Sequence, residues 1–138
     1  MYKVQQAAKM LNIPISTLHY YEKRELITPR RGENSYRYYS DEDLRTVRLI
    51  VLMRHYRFSI DEIKQILRNF SNEQEYVEAA ADSKEFFSNK IDELQEIIQG
   101  YVAIIELIKD LPLMGSFADC GEKKKETIAL IDRLYREL

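Results

Sequence analysis

Apolar residues recur through the first 70 positions at helical spacing, in short runs separated by polar or proline breaks. Val4, Ala7, Ala8 and Leu11 fall at i, i+3, i+4 and i+7, which predicts a short amphipathic helix. Asn12-Ile13-Pro14 breaks it, and Ser16-Thr17 open a second run through Leu18, Tyr21 and Glu22 that ends near Arg24. Two short helices across a three-residue break outline a helix-turn-helix. Leu26-Ile27 are expected to pack beneath them, and Pro29 prevents the helix from continuing. The polar stretch Arg30 to Ser35 followed by Tyr36-Arg37-Tyr38-Tyr39 reads as a β-ribbon wing, because turn formers lead into strand formers.

Two helix starts follow. Ser40-Asp41-Glu42-Asp43 supplies a cap residue with acids in the first turn, and Leu44, Val47, Ile50, Val51 and Leu52 carry that helix to about His55. Ser59-Ile60-Asp61-Glu62 is a capping box for a fourth helix whose apolar face is Ile63, Ile66, Leu67 and Phe70. Ser71-Asn72 closes the segment.

The second half has a different period. Phe87, Ile91, Leu94, Ile98, Tyr101, Ile105 and Ile108 step alternately by 4 and 3, an unbroken heptad seam. A helix packed on its own globular core would drift off this period, so the seam predicts a coiled coil, and hence a homodimer. Its 22 residues span about 33 Å at 1.5 Å per residue. Gly100 inside it weakens the helix by about 1 kcal/mol relative to alanine. Leu111-Pro112 ends the long helix, and a last helix runs from about Glu122 with Ile128, Ile131, Leu134, Tyr135 and Leu138 on one side. The fold class is therefore mainly α. A winged helix-turn-helix domain at 1–70 precedes a linker and long dimerisation helix at 71–111, and 112–138 form a C-terminal loop and helix, a candidate effector region.

Charge adds direction to this outline. The net charge of −2 hides an asymmetry: residues 1–70 carry 13 Lys and Arg against 8 Asp and Glu, whereas 71–138 carry 8 against 15. A basic half joined to an acidic half points to a polyanion at the first alone. No apolar run approaches the ~20 residues of a membrane span and no signal-like segment opens the chain, so a cytoplasmic protein without a membrane partner is expected. The single cysteine, Cys120, fits that compartment. His19 and His55 lie in separate helical segments without a suitably spaced acid or nucleophile, and no phosphate-cradling glycine loop occurs. Neither an enzyme nor a bound cofactor is expected.

The second helix of a helix-turn-helix enters the major groove with its N-terminal part against base edges. Here it offers Ser16, Thr17, His19, Tyr20, Lys23 and Arg24, with Leu18 inward, and the wing adds Arg30, Arg31, Tyr36, Arg37 and Tyr38. Hydroxyls and cations of this kind suit phosphate and base contacts on double-stranded DNA. Tyr21 and Tyr39 are expected in the core, while Arg45, Arg48 and Arg54 divide evenly between a solvated face and DNA contact.

The combined string is specific. Thr17-Leu18-His19-Tyr20-Tyr21-Glu22, Leu26-Ile27-Thr28-Pro29 and Tyr36-Arg37-Tyr38-Tyr39, in order and spacing, resemble the MerR family of bacterial transcription regulators, and Arg57 to Ile63 is similar to the start of that family's fourth helix. The likeness covers residues 2–70, and the heptad helix is similar to the family's antiparallel dimerisation helix. The resemblance implies a dimer on a pseudo-palindromic promoter site, which bends and untwists DNA so that RNA polymerase is served indirectly. Deformation energies of order 1–6 kcal/mol are within reach of such a dimer. The chain departs from the family pattern at His19, where arginine is usual, and at Glu25, Ser35 and Arg57, where glycine is usual. Metal-sensing members hold a soft ion with paired thiolates in the loop after the long helix, where this chain has Cys120 but no partner cysteine. No metal is therefore expected, and Cys120 stands as a candidate effector or redox residue. A small apolar ligand beside Met114 and Phe117 is the other option. The alternative to a promoter regulator is an architectural DNA-binding protein without a small-molecule signal.

Overall fold

Three of the helices end in the same way, and that repeated ending shapes the first half of the molecule. In the computed structural model, which describes residues 1–71, 80–111 and 121–138, the order is β1 (Tyr2–Lys3), α1 (Val4–Leu11), α2 (Ile15–Lys23), β2 (Arg30–Arg31), β3 (Arg37–Tyr39), α3 (Asp41–His55), α4 (Ile60–Ser71), α5 (Ala80–Asp110) and α6 (Gly121–Arg136). The amide of Ile13 donates to the carbonyl of Ala8 at 3.1 Å, that of Leu26 to Tyr21 at 3.0 Å, and that of Phe58 to Met53 at 3.0 Å. Each bond closes a helix end through a residue in the left-handed region: Asn12 (φ 54), Glu25 (φ 62) and Arg57 (φ 66). The apolar residue that follows each one is drawn inward, and Leu26 and Phe58 are buried.

The chain divides into two compact units, Met1–Ser83 and Lys84–Leu138. In the first, α1 and α2 flank the three-residue break Asn12-Ile13-Pro14, as the apolar spacing predicts. Leu18, Tyr39, Leu44, Val47, Ile50 and Ile63 are the largest fully enclosed side chains, joined by Ala7, Ala8, Tyr21, Leu26 and Ile27. Ser40 caps α3: its hydroxyl accepts from the Asp43 amide at 3.1 Å while the Asp43 carboxylate accepts from the Ser40 amide at 2.7 Å. Ser59 and Glu62 form the reciprocal box at α4, at 3.1 and 2.9 Å. On α4, Ile63 is buried and Ile66 and Leu67 are half-buried, while the Phe70 side chain lies outside the described residues.

The sheet has one strand more than the sequence pattern suggests. β3 is central, with β1 antiparallel on one side (Tyr2 opposite Tyr39, Lys3 opposite Tyr38) and β2 antiparallel on the other (Arg30 opposite Tyr38, Arg31 opposite Arg37). A two-residue strand carries no period of its own, so only its partner reveals it. Along β3 successive side chains alternate faces. Tyr39 points into the core and Tyr38 to the other side, beside Gly32 of the wing turn.

α5 runs 31 residues, longer than the heptad seam within it, and from Lys84 onward it belongs to the second unit. Among the described residues no apolar side chain of this unit is buried, and the exposed set includes Ile91, Ile98, Tyr101, Ile105 and Ile108 of the seam. Phe87 and Leu94 are half-buried. On α6, Thr127 is buried and Leu130 and Leu134 are half-buried, so the covered side lies one step away from exposed Ile128, Ile131 and Tyr135. A Cβ on Gly100 would meet nothing within 4 Å. No helix among the described residues is long and apolar enough to cross a membrane.

Candidate nucleic-acid interface

Burial of Leu18 and Tyr21 fixes the orientation of α2, because these two residues, three apart, face the core. The rest of the helix is turned outward. Ser16, His19, Tyr20, Lys23 and Arg24 are exposed and Thr17 is half-buried, its amide donating to the Pro14 carbonyl at 3.0 Å in the first turn. Tyr20 leans on Tyr21, ring centroids 6.0 Å apart and planes at 49°, so an exposed phenol is propped by a buried one. Burial raises the Tyr21 hydroxyl pKa; the nearby Arg54 charge lowers it less and Tyr20 adds a small rise.

The wing is held by backbone and by side chains. Gly32 donates to the Tyr36 carbonyl at 2.9 Å and Ser35 to the Gly32 carbonyl at 3.0 Å, with Ser35 in the left-handed region at φ 60. Arg30 and Tyr36 are exposed, and Arg37 and Tyr38 are half-buried. The structure therefore brings Tyr20, Lys23 and Arg24 of α2 and Arg30, Tyr36 and Tyr38 of the wing into the same unit, on two adjoining elements.

Glu22 links those elements, and sequence reasoning assigned it no role. Its Oε1 accepts from Arg31 Nη2 at 2.7 Å and its Oε2 accepts from Arg37 Nε. Arg31 Nη1 also donates to the Ser35 carbonyl at 3.1 Å, which ties the wing turn to the same group. One carboxylate thus grips both strands of the wing, and Arg31 and Arg37 are directly opposite in register. Burial works to raise the Glu22 pKa, but the hydrogen bonds and charges of Arg37 and Arg31 outweigh it and hold the carboxyl below its ordinary value. The only forewarning was spacing, since Glu22 stands four residues after buried Leu18 and so shares its side of the helix.

Other expected residues fall in place differently. Arg54 donates to the Phe58 carbonyl at 3.0 Å and so helps to cap α3, whereas Arg45 and Arg48 are exposed. His55 is an exposed helix-end residue stacked edge-on against Tyr56, with centroids 5.1 Å apart. Cys120, Met114 and Phe117 lie outside the described residues. Among the described residues no three His, Cys, Asp or Glu side chains gather as a metal site would require.

The sequence and the fold are similar to those of known proteins. Residues 2–69 match the model of the MerR HTH family regulatory proteins. The HTH-type transcriptional activator Mta of Bacillus subtilis is 35% identical over 101 residues, 71% of this chain but 38% of its own length. This chain therefore spans well under half of that relative. The HTH-type transcriptional regulator HmrR of Rhizobium leguminosarum bv. viciae is 30% identical over 96 residues, 70% of this chain and 72% of its own. A MerR-family transcriptional regulator from Bacillus thuringiensis superposes with a TM-score of 0.58 over 80% of this chain and 98% of its own, at 22% identity, which is a likeness of fold.

Proposed function

The chain belongs to the MerR family of helix-turn-helix transcription regulators, and from that premise we propose that it is a cytoplasmic homodimer that binds a pseudo-palindromic promoter site and acts by distorting it. The observation that carries the reading is the Glu22 link between α2 and the wing. Tyr20, Lys23 and Arg24 of that helix and Arg30 and Tyr36 of that ribbon are exposed. A helix of this kind fits the major groove, and exposed arginines and phenols beside it fit the flanking phosphates. Ser16, Thr17 and His19 lie at the end of α2 that approaches base edges in such a docking.

Dimerisation is supported by the seam. Five of its seven residues, Ile91, Ile98, Tyr101, Ile105 and Ile108, are exposed in the single chain, an apolar stripe that water disfavours and a second, antiparallel α5 covers. A two-fold dimer places two α2 helices on two half-sites, which is why the site is expected to be pseudo-palindromic. RNA polymerase then responds to the shape of the DNA rather than to direct contact with this protein. The effector belongs to 112–138, with Cys120 as the candidate redox or ligand-responsive residue.

Selection of bound duplexes from a random pool tests the reading. A single enriched pseudo-palindrome supports the promoter regulator. Uniform binding of all duplexes favours an architectural DNA-binding protein, and no binding removes both.

A further inference from the structure

Glu22 is a negative group beside Lys23, Arg24, Arg31 and Arg37, on a stretch that also carries exposed Glu25 and Glu33. Near DNA a carboxylate repels phosphate, so its place there calls for a compensating role. The geometry supplies one. β2 and β3 are two and three residues long, and so short a hairpin has little stability of its own. The Glu22 carboxylate engages Arg31 from one strand and Arg37 from the other, while Arg31 reaches on to the Ser35 carbonyl across the turn. These contacts run from a recognition helix of nine residues to the wing and cross 9 and 15 positions of sequence.

We propose that Glu22 is the positioning residue that sets the wing at a fixed distance and angle from the recognition helix, and so determines how strongly the protein prefers its own site over other DNA. Base contacts by α2 and phosphate contacts by the wing add together only when both elements meet the duplex in one register. The clamp supplies that register before DNA arrives. It also engages two guanidinium groups that would otherwise bind phosphate wherever it is found. Arg37 uses its Nε on Glu22, which aims the remainder of its guanidinium instead of leaving it to swing.

The inference rests on the DNA-binding reading, and the experiment separates the two. Affinities of the full chain are measured for the selected duplex and for a scrambled duplex, across a salt series, for the parent, Glu22→Gln and Glu22→Asp. For Glu22→Gln the expected result is a fall of about tenfold in the ratio of specific to scrambled affinity. Binding to the scrambled duplex should hold or tighten, with a salt slope steeper by about 1–2 as the freed arginines meet phosphate. Glu22→Asp keeps the charge but shortens the reach, so the ratio should fall with little change in slope. A simple loss of folded protein would lower both affinities together, and circular dichroism melts identify it. If Glu22→Gln fails to fold, the ratio for Glu22→Asp decides. An unchanged ratio in a folded variant overturns the positioning role and leaves the regulator standing. A parent that binds neither duplex overturns both.

Discussion

Gly32 and Tyr38 are packed so closely that a Cβ on the glycine would lie 2.5 Å from Cε2 of the tyrosine ring and 3.2 Å from Cδ2. The wing turn therefore carries a glycine for space, with the phenol lying where a side chain would go. Gly32→Ala should force the ring out of place and destabilise the winged unit by about 1–3 kcal/mol, as overpacking does. Thermal melts of Gly32→Ala and of Gly32→Ala with Tyr38→Ala check this. Tyr38→Ala removes the obstruction, so the alanine at 32 should do little further harm in that background. Equal damage in both backgrounds would rule out the contact as the cause.

Glu25, Ser35 and Arg57 occupy left-handed backbone, at φ 62, 60 and 66, where a Cβ crowds the following carbonyl. The family pattern usually has glycine at these three positions. Here the helix ends and the wing turn keep the glycine geometry without the glycine. Each of Glu25→Gly, Ser35→Gly and Arg57→Gly should raise stability by about 1 kcal/mol, the relief of strain outweighing the added freedom of the unfolded chain. Asn12→Gly is the internal control. Asparagine tolerates this region, so its gain should be smaller than the other three. Denaturant midpoints for the four variants settle the ranking, and a loss at Glu25 or Arg57 would show that the side chain contributes more than the strain removes.

These positions also show what could be read in advance. Helix starts at Ser40 and Ser59 were legible because a capping box is local and needs only four residues. The core was legible where one side of a helix repeats, as at Leu44, Val47 and Ile50. Strand β1 was not, because Tyr2 and Lys3 become a strand only against Tyr38 and Tyr39, far along the chain. The outward residues of α2 followed from the inward placement of Leu18. The role of Glu22 did not, because it depends on where the chain returns 9 and 15 residues later. The departure from the family's glycines at Glu25, Ser35 and Arg57 left these turns open to other geometries, because a Cβ disfavours the left-handed region that the structure shows there.

Tyr39 is fully buried and its hydroxyl has no hydrogen-bond partner among the described residues. Burial raises its pKa, with the Glu22 charge adding to the rise and Arg37 and Arg31 opposing it, so the phenol is neutral throughout the physiological range. An unsatisfied buried hydroxyl costs free energy that phenylalanine avoids at the same shape. Tyr39→Phe should therefore leave stability unchanged or raise it by about 1 kcal/mol. A clear loss in a urea melt would mean that the hydroxyl has a partner in solution.

The Glu22 clamp makes a pH-dependent contribution of definite sign. Its carboxyl is held below the ordinary glutamate value of 4.5, because Arg37 and Arg31 outweigh the effect of burial. A depressed carboxylate stabilises the fold fully above the unfolded value, and that contribution is lost as pH falls through the folded one. The parent should exceed Glu22→Gln by about 1 kcal/mol at pH 7, a modest figure because both arginines remain partly exposed. The difference should shrink below pH 4.5 and vanish in stronger acid. Melting temperatures of both proteins from pH 7 to 3 give the comparison, and a constant difference would exclude the ion pairs as its source.

The heptad seam makes the most demanding prediction, because it concerns an assembly. Ile98 and Ile105 are 60% and 51% exposed in the single chain, and each occupies the same seam position seven residues apart. Covered by a second α5, each isoleucine would contribute about 1.5–3 kcal/mol, and a buried carboxylate in its place would oppose association more strongly still. The pair Ile98→Asp and Ile105→Asp should yield monomers by light scattering. It should leave the melt of the winged unit unchanged, since the buried apolar residues found there lie between Ala7 and Ile63. Affinity for a two-fold site should fall at least about 100-fold, because one half-site no longer brings the second α2 into reach. A single half-site should be bound equally by parent and variant. If the variant stays dimeric, the exposed stripe on α5 is covered by something other than its own copy.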